Sequence, residues 1–192
     1  MSTSCPLTAR LMVQALSPAP GDRIGITAAG STIGRMLIRL LDVAEARPFA
    51  IVRTERSRRA LRDEPVEIAE DGAPLPPLVA GLDAVGGLAG ARLAAAIEPG
   101  GVLLHYGLLS GQPLTSALLK DARASVKLFR LRDWVHTAPR PALHAAMART
   151  FADIRTGLST SPVAADYPLS AFRDALLHNA RVDRAGKVLL RL

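Results

Sequence analysis

The stretch that decides the fold is Arg23-Ile-Gly-Ile-Thr27, followed directly by Ala28-Ala-Gly-Ser-Thr-Ile-Gly34. The first segment is a short apolar run that predicts a buried strand. The residues from Ala28 to Thr32 are all small, and the apolar residues between Ile33 and Leu41 recur at helical spacing. The pattern therefore predicts a strand, a tight turn and a helix in succession.

The same alternation continues on both sides of this unit. Helices are predicted at Pro6–Leu16, Arg56–Arg62, Ala89–Ile97, Pro141–Gly157 and Ser170–Ala180. Further strands are predicted at Phe49–Val52, Val66–Ile68, Leu82–Val85, Val102–Tyr106, Ser125–Phe129 and Lys187–Leu192. Strands that alternate with helices predict an α/β fold with a doubly wound parallel sheet (a Rossmann fold) of about six strands, followed by C-terminal helices and a final strand.

The length favours one domain. The chain has 192 residues, so we expect residues 1–192 to form a single domain. Residues 1–20 would be a leading helix and linker, and residues 158–192 a C-terminal segment. The stretch Glu70–Pro77 carries Asp, Gly and three prolines, so a loop is predicted where a crossover helix would be expected.

Composition limits the chemistry and the compartment. The single cysteine, Cys5, excludes an internal disulfide and argues against structural zinc. The histidines are scattered without metal-ligand spacing, so no metal site is predicted: His105, His136, His144 and His178. No apolar run is long enough to cross a bilayer and no signal-peptide layout is present, so we expect a cytoplasmic protein. The net charge of +7 permits an anionic partner such as a phosphorylated cofactor, a nucleic acid or an acyl carrier.

The turn Ala29-x-Ser31-x-x-Gly34 is a relaxed form of a dinucleotide-binding fingerprint. Such a turn lets the backbone approach a pyrophosphate, while the helix N-terminus offers free N–H groups. The hydroxyls of Ser31 and Thr32 could also donate to phosphate. A tight strand–helix turn without any ligand is equally compatible with these residues.

The end of the second predicted strand discriminates between cofactors. Folds that bind NAD usually carry an acidic residue there, which accepts from the ribose 2′-hydroxyl. Here the position is Arg53, with Thr54 and Arg56 close behind. Because a guanidinium pairs with phosphate in a bidentate way, an arginine suits a 2′-phosphate. The alternative is a solvated helix face, which we expect for the outer arginines at positions 58, 59 and 62.

Several longer segments carry a family resemblance. His105-Tyr-Gly-Leu-Leu-Ser-Gly-Gln-Pro-Leu114 resembles the YGxxSxxP segment of zinc-free medium-chain dehydrogenases/reductases. Leu82-Asp-Ala-Val-Gly-Gly87, Pro99-Gly-Gly-Val102 and Phe129-x-Leu131-x-x-Trp134 are similar to further motifs of that superfamily. The opening Cys5-Pro-Leu-Thr-Ala9 looks most like the enoyl thioester reductases, with quinone oxidoreductases next.

The resemblance implies an NADP(H)-binding domain that transfers hydride to an enoyl thioester or a quinone-type acceptor. The turn would face the pyrophosphate, the arginines the 2′-phosphate, and the loops after strands four to six the nicotinamide half. The implied cofactor-binding residues are Ala29, Gly30, Ser31, Thr32, Ile33, Gly34, Arg53, Thr54, Arg56, Val85, Gly86, Tyr106, Gly107, Leu108, Leu109, Phe129, Leu131 and Lys187.

The chain also departs from the family pattern. Members of the superfamily carry a preceding catalytic domain that supplies the substrate pocket, and no such segment is recognised in these residues. Leu128 stands where the family often has glycine, and Arg130 where it has an aromatic residue, so the nicotinamide end would be crowded and charged. The resemblance also implies a homodimer through the edge of the sixth strand.

Two readings of function therefore remain. The chain is either a redox subunit that a catalytic domain or partner completes, or a catalytically inactive module that holds NADP(H) or binds other proteins. Nucleic-acid binding is disfavoured because aromatic residues are only 4% and are not interleaved with basic ones. A hydrolase is disfavoured because no G-x-S-x-G elbow occurs.

Overall fold

A computed structural model describes residues 4–181 and 186–192. The chain divides into two compact units, with the boundary between Ser159 and Thr160. The larger unit holds a parallel sheet with helices on both faces, and the smaller unit holds a separate two-stranded sheet. Each unit is described by itself.

The sheet of the larger unit confirms the predicted fold class. Its strands are β1 (Arg23–Thr27), β2 (Arg47–Val52), β3 (Glu67–Glu70), β4 (Leu78–Asp83), β5 (Ile97–His105) and β6 (Ser125–Leu128). All neighbouring strands run parallel, in the order β3-β2-β1-β4-β5-β6. This order is typical of a dinucleotide-binding Rossmann fold, and it leaves β6 at one edge of the sheet.

Helices cover the sheet on both faces. They are α1 (Ser4–Leu16), α2 (Thr32–Val43), α3 (Glu55–Arg59), α4 (Gly87–Ala96), α5 (Leu131–Thr137) and α6 (Arg140–Arg155). One apolar cluster joins α1 and α2 to one face, and a second joins α4 to the other. The chain passes from β3 to β4 without a helix, as the proline-rich loop predicts. None of the helices in the described ranges is long and apolar enough to cross a membrane.

A largely buried ion pair holds α6 against α1. Arg10 Nε donates to Asp153 Oδ2 at 2.7 Å, and Arg10 Nη2 donates to Asp153 Oδ1. The Asp153 side chain is 8% exposed, so the guanidinium supplies the partner that a buried carboxylate requires. This pairing is bidentate and joins residues 143 positions apart.

The structure corrects the bounds of two strands. β4 begins at Leu78, not at Leu82, and β5 begins at Ile97 even though Pro99-Gly-Gly101 reads as a loop. The two strands pair through an irregular register between Leu78 and Ala80. A Cβ at position 101 would lie 2.3 Å from the Val79 carbonyl oxygen, so glycine is needed there for the strands to approach.

The smaller unit contains β7 (Val163–Pro168), a turn of 3-10 helix (Leu169–Ala171), α7 (Phe172–Ala180) and β8 (Lys187–Arg191). The sequence predicts α7 and β8 but not β7, which reads as a connector. β7 and β8 pair in parallel, and Arg191 Nε donates to Asp166 Oδ2 at 3.0 Å across them. Tyr167 Oη and His178 Nδ1 lie 3.0 Å apart, which ties β7 to α7.

Candidate functional site

The candidate site lies at the carboxyl ends of β1 and β4. The connection from β1 leads to β2 on one side, whereas the connection from β4 leads to β5 on the other. In an open parallel sheet, such a reversal leaves a crevice outside the carboxyl ends of the strands, where ligands bind. The turns that follow β1, β2, β4 and β5 therefore border this crevice.

The turn between β1 and α2 is held by its own side chains. Ser31 is the N-cap of α2, and its hydroxyl oxygen accepts a hydrogen bond from Gly34 N at 3.1 Å. A Cβ at position 34 would lie 2.4 Å from the Ala29 carbonyl oxygen. Glycine is therefore required at position 34 so that the helix can approach the end of the strand closely.

Gly30 brings this turn against the start of α3. A Cβ at position 30 would lie 3.0 Å from Ser57 Cβ and 3.1 Å from the Ser57 backbone. The small residue is thus explained by the protein's own packing at this point. The contact also places the turn after β1 beside the segment that carries Arg53, Thr54 and Arg56.

The N-terminus of α2 suits an anion. The first turn of this helix carries no acidic residue, and within the described residues the N–H of Ile33 donates to no other group. Free N–H groups and the helix dipole favour negative charge at this position. The donor set therefore fits the diphosphate of a dinucleotide.

The arginines after β2 divide into two sets. Arg58 and Arg59 pair with carboxylates, since Arg59 Nε lies 3.1 Å from Glu55 Oε1 and Arg58 Nη2 lies 3.4 Å from Glu70 Oε1. Arg53 comes directly after β2, is exposed, and makes no ion pair with any residue that the structure describes. The only acid in the first turn of α3, Glu55, is occupied by the outer arginines, which leaves Arg53 suited to a phosphate.

Thr54 and Arg56 lie on the same short segment. Thr54 is the N-cap of α3, and its hydroxyl oxygen accepts from Ser57 N at 3.1 Å. Arg56 is an exposed residue of α3. This segment is thus a capped helical turn whose basic side chains lie at the solvent surface.

A buried carboxylate organises the other side of the crevice. Asp83, the last residue of β4, is 0% exposed. Its Oδ1 accepts from Thr27 Oγ1 at 2.7 Å and from Val85 N at 3.0 Å. Its Oδ2 accepts from Gly86 N at 3.0 Å and lies 2.7 Å from His105 Nδ1. We call these residues the Asp83 network; it joins the ends of β1, β4 and β5.

The loop after β5 is hydrogen-bonded to the loop after β4. Leu109 N donates to the Ala84 carbonyl at 3.0 Å, and Ser110 donates to the Val85 carbonyl through both N and Oγ. The Ala84 N–H is also occupied, because it donates to Thr27 Oγ1 at 2.9 Å. Together with the Asp83 network, these bonds use the main-chain N–H and C=O groups of Ala84 and Val85.

The other predicted residues of these two loops differ in exposure and in backbone conformation. Leu108 and Leu109 are 49% and 70% exposed, and Gly107 lies against Ala84, where a Cβ would be 2.8 Å from the carbonyl oxygen. Gly86 has a φ of 73°, a conformation that favours glycine, and its carbonyl accepts from Gly90 N.

Tyr106 packs into the core. Its ring contacts the apolar cluster of α1 and α2, and its hydroxyl is buried without a hydrogen-bond partner among the described residues. Burial raises the pKa of this phenol well above its ordinary value, and the nearby Asp83 charge raises it further. The side chain is therefore a neutral core group.

The segment after β6 is fastened to β5. Phe129 N donates to the His105 carbonyl at 2.8 Å, and Leu131 begins α5. Leu128 is 61% exposed, and Arg130 Nε lies 3.0 Å from Asp133 Oδ2. The charge of Arg130 is thus partly balanced within its own segment. Lys187, the last predicted residue, begins β8 in the smaller unit.

The sequence interpretation missed Asp83, His105 and Thr27 as site residues. A usable pattern was present: each is a polar residue at the end of an apolar strand of a parallel sheet. Because such ends meet at one edge, these side chains could have been expected to lie close together. Among the residues described, no group of three or more His, Cys, Asp or Glu is arranged to hold a metal ion.

Comparisons with known proteins show which proteins this chain is similar to. No family model matches the chain. It is 25% identical to the mitochondrial enoyl-[acyl-carrier-protein] reductase of Mus musculus, over 89% of this chain and 51% of that protein. The rat enzyme of the same name is 24% identical. The chain thus spans about half the length of the curated relatives that it matches.

Solved structures agree on the fold. A putative NADPH:quinone reductase from Bacillus thuringiensis superposes with a TM-score of 0.86 at 24% identity, covering 96% of this chain and 60% of that one. Escherichia coli quinone oxidoreductase complexed with NADPH superposes with a TM-score of 0.79 at 18% sequence identity. The match covers 97% of this chain and 63% of that one. The predicted resemblance to the medium-chain dehydrogenase/reductase superfamily is confirmed. The chain shares its fold with less than two thirds of each of these longer proteins.

Proposed function

We propose that this chain is the NADP(H)-binding domain of a zinc-independent medium-chain reductase. The observation that carries the proposal is the end of β2, where exposed Arg53 stands beside the turn after β1 and no unpaired acid is available to select NAD. A guanidinium at this place favours a cofactor with a 2′-phosphate.

Different groups of residues would bind different parts of the cofactor. The N-terminus of α2, with Ser31, Thr32 and Ile33, would hold the diphosphate. Arg53, with Thr54 and Arg56, would hold the 2′-phosphate, and the loops after β4, β5 and β6 would line the nicotinamide half. When bound, NADPH supplies the hydride; the protein binds and orients it.

The acceptor is proposed to be an enoyl thioester or a quinone. The relatives are named as enoyl-[acyl-carrier-protein] reductases, and the structural neighbours as quinone oxidoreductases. The substrate pocket would come from a catalytic domain elsewhere in the protein or from a partner chain. Residues 158–192 would pack against that domain, and Lys187 would reach a cofactor phosphate or ribose. The cytoplasm remains the predicted location.

A titration tests the proposal. NADPH is added to the purified chain while the fluorescence of the nicotinamide is followed, with NADH as the matched control. Micromolar binding of NADPH with much weaker binding of NADH supports it, and no binding of NADPH contradicts it. Added crotonyl thioester or quinone then distinguishes an active reductase from an inactive cofactor-binding module, which binds NADPH without turnover.

A homodimer through β6 is also part of the proposal. This edge strand exposes Val126 and Leu128, which are 38% and 61% exposed. An unprotected edge with apolar side chains favours pairing with a second copy. Sedimentation of the wild-type protein and of Leu128→Lys tests it: a dimer that the variant weakens supports pairing at this edge, whereas a wild-type monomer contradicts it.

A further inference from the structure

His105 has one ring nitrogen fixed and the other available. Nδ1 lies 2.7 Å from the Asp83 carboxylate, which accepts hydrogen bonds and therefore requires the proton on Nδ1. The side chain is 14% exposed. Within residues 4–181 and 186–192, Nε2 has no hydrogen-bond partner, and it is not among the fully buried polar atoms. In the neutral ring with the proton on Nδ1, Nε2 carries the lone pair, at the solvent-accessible side of the ring.

The ring lies under the loop after β4. A Cβ at Gly86 would lie 3.5 Å from His105 Cε1, the ring atom that joins the two nitrogens. Nε2 is bonded to Cε1, so this acceptor is also near the loop. The loop itself has few groups to offer a ligand, because the N–H and C=O groups of Ala84 and Val85, together with the N–H of Gly86, are already hydrogen-bonded.

The topology assigns this corner to one half of the cofactor. The dinucleotide crosses the sheet where the strand order reverses, between β1 and β4. With the 2′-phosphate at Arg53 beyond β2, the adenosine half lies on the β1–β2 side. The nicotinamide riboside then lies over β4 and β5, whose ends carry Asp83 and His105.

We infer that His105 is a cofactor-contacting residue whose Nε2 accepts a hydrogen bond from the nicotinamide riboside half of NADP(H), with Asp83 as the positioning residue that sets its tautomer. The inference rests on the proposed function. The donor is either a ribose hydroxyl or the carboxamide NH2, since both belong to this half of the cofactor.

The test compares two probes on the full chain. NADPH carries both halves of the cofactor, whereas 2′,5′-ADP carries only the adenosine half with its 2′-phosphate. In His105→Leu, we expect the Kd of NADPH to rise about five- to tenfold, because one hydrogen bond is lost. The Kd of 2′,5′-ADP should change less than twofold. His105→Gln, which retains an acceptor, should restore part of the loss, and His144→Leu, at an exposed position of α6, serves as the control.

Each outcome is decisive. Equal changes for both probes, or no change for NADPH, would overturn the role of His105 while leaving the proposed function intact. No binding of either probe by the wild-type chain would overturn the proposed function, and this inference with it. In addition, the Nε2 resonance of His105 should shift on adding NADPH but not on adding 2′,5′-ADP, a response that a purely structural histidine would not give.

A cofactor analogue then identifies the donor. The reduced 3-acetylpyridine analogue of NADPH has no carboxamide NH2. If His105→Leu weakens binding of this analogue as much as it weakens NADPH, the donor is a ribose hydroxyl. If the effect disappears with the analogue, the donor is the carboxamide.

Discussion

The two sides of the crevice are built in opposite ways. Around β4 and β5, a fully buried carboxylate accepts hydrogen bonds from the ends of neighbouring strands, and the main-chain groups of Ala84 and Val85 are hydrogen-bonded within the protein. After β2, a five-residue helical turn carries its arginines at the solvent surface, and the ion pairs of Arg58 and Arg59 lie there too. One side is therefore part of the folding core, whereas substitutions on the exposed side should leave the fold intact.

The largest expected effect is on the Asp83 network. Asp83→Ala removes the acceptor of Thr27, Val85, Gly86 and His105, so we expect the free energy of unfolding to fall by about 3 to 5 kcal/mol. Urea denaturation measures this loss. Glu70→Ala is the matched control, because its carboxylate is exposed at the end of β3 and should cost less than about 1 kcal/mol. Equal losses in both variants would remove the contrast between the two sides.

Gly34→Ala should have the next largest effect. The added Cβ would lie 2.4 Å from a backbone oxygen, which cannot move away as a flexible side chain could. We expect a loss of about 2 to 3 kcal/mol in the free energy of unfolding, as for other overpacked sites. Val43→Ala, at an exposed position of the same helix, should change it by less than about 0.5 kcal/mol. Wild-type stability in Gly34→Ala would mean that the turn can relax away from α2.

Arg53→Ala should weaken the binding of NADPH without changing the stability of the fold. Because Arg53 is exposed and unpaired within the described chain, the melting temperature should stay unchanged. Loss of a charge-assisted contact with the 2′-phosphate should weaken NADPH binding by about 10- to 100-fold and leave NADH unaffected. Isothermal titration measures both, with Arg62→Ala as the control outside the proposed contact. A similar loss for the two cofactors would show that Arg53 does not read the 2′-phosphate.

Tyr106→Phe should give the smallest effect, and it should be stabilising. The substitution removes a buried hydroxyl without a partner in the described structure, so the free energy of unfolding should rise by about 1 kcal/mol near neutral pH.

The same substitution should alter the alkaline limb of the stability curve. The folded-state pKa of Tyr106 is raised, so the folded protein keeps a proton that the unfolded chain begins to lose near its ordinary pKa of about 10. The stability contributed by this group is present below that pH and is lost as the pH rises above it. Between about pH 8 and 11, the free energy of unfolding measured by denaturation should fall less steeply with pH in Tyr106→Phe than in the wild type. An unchanged slope would mean that the phenol is not protected by the fold.

Local patterns predicted most of the architecture. The strand, turn and helix at residues 23–43 follow from apolar spacing and small turn residues, and α6 follows from its long helical pattern. β7 was missed because its only strand partner in the described structure, β8, lies more than 20 residues away. The short α5 and the start of β4 were also missed, because a seven-residue helix and a strand containing glycine carry weak periodicity.

Sequence alone determined the fold class and the position of Arg53 and Arg56 directly after β2. Both depend on residues close together in the chain, where spacing and charge can be read directly. Only the tertiary structure decided that Asp83 joins Thr27 and His105, from which it is separated by 56 and 22 residues. The physical reason is that a buried carboxylate must find its donors wherever the strand ends meet, and that meeting is set by the order of the strands in the sheet.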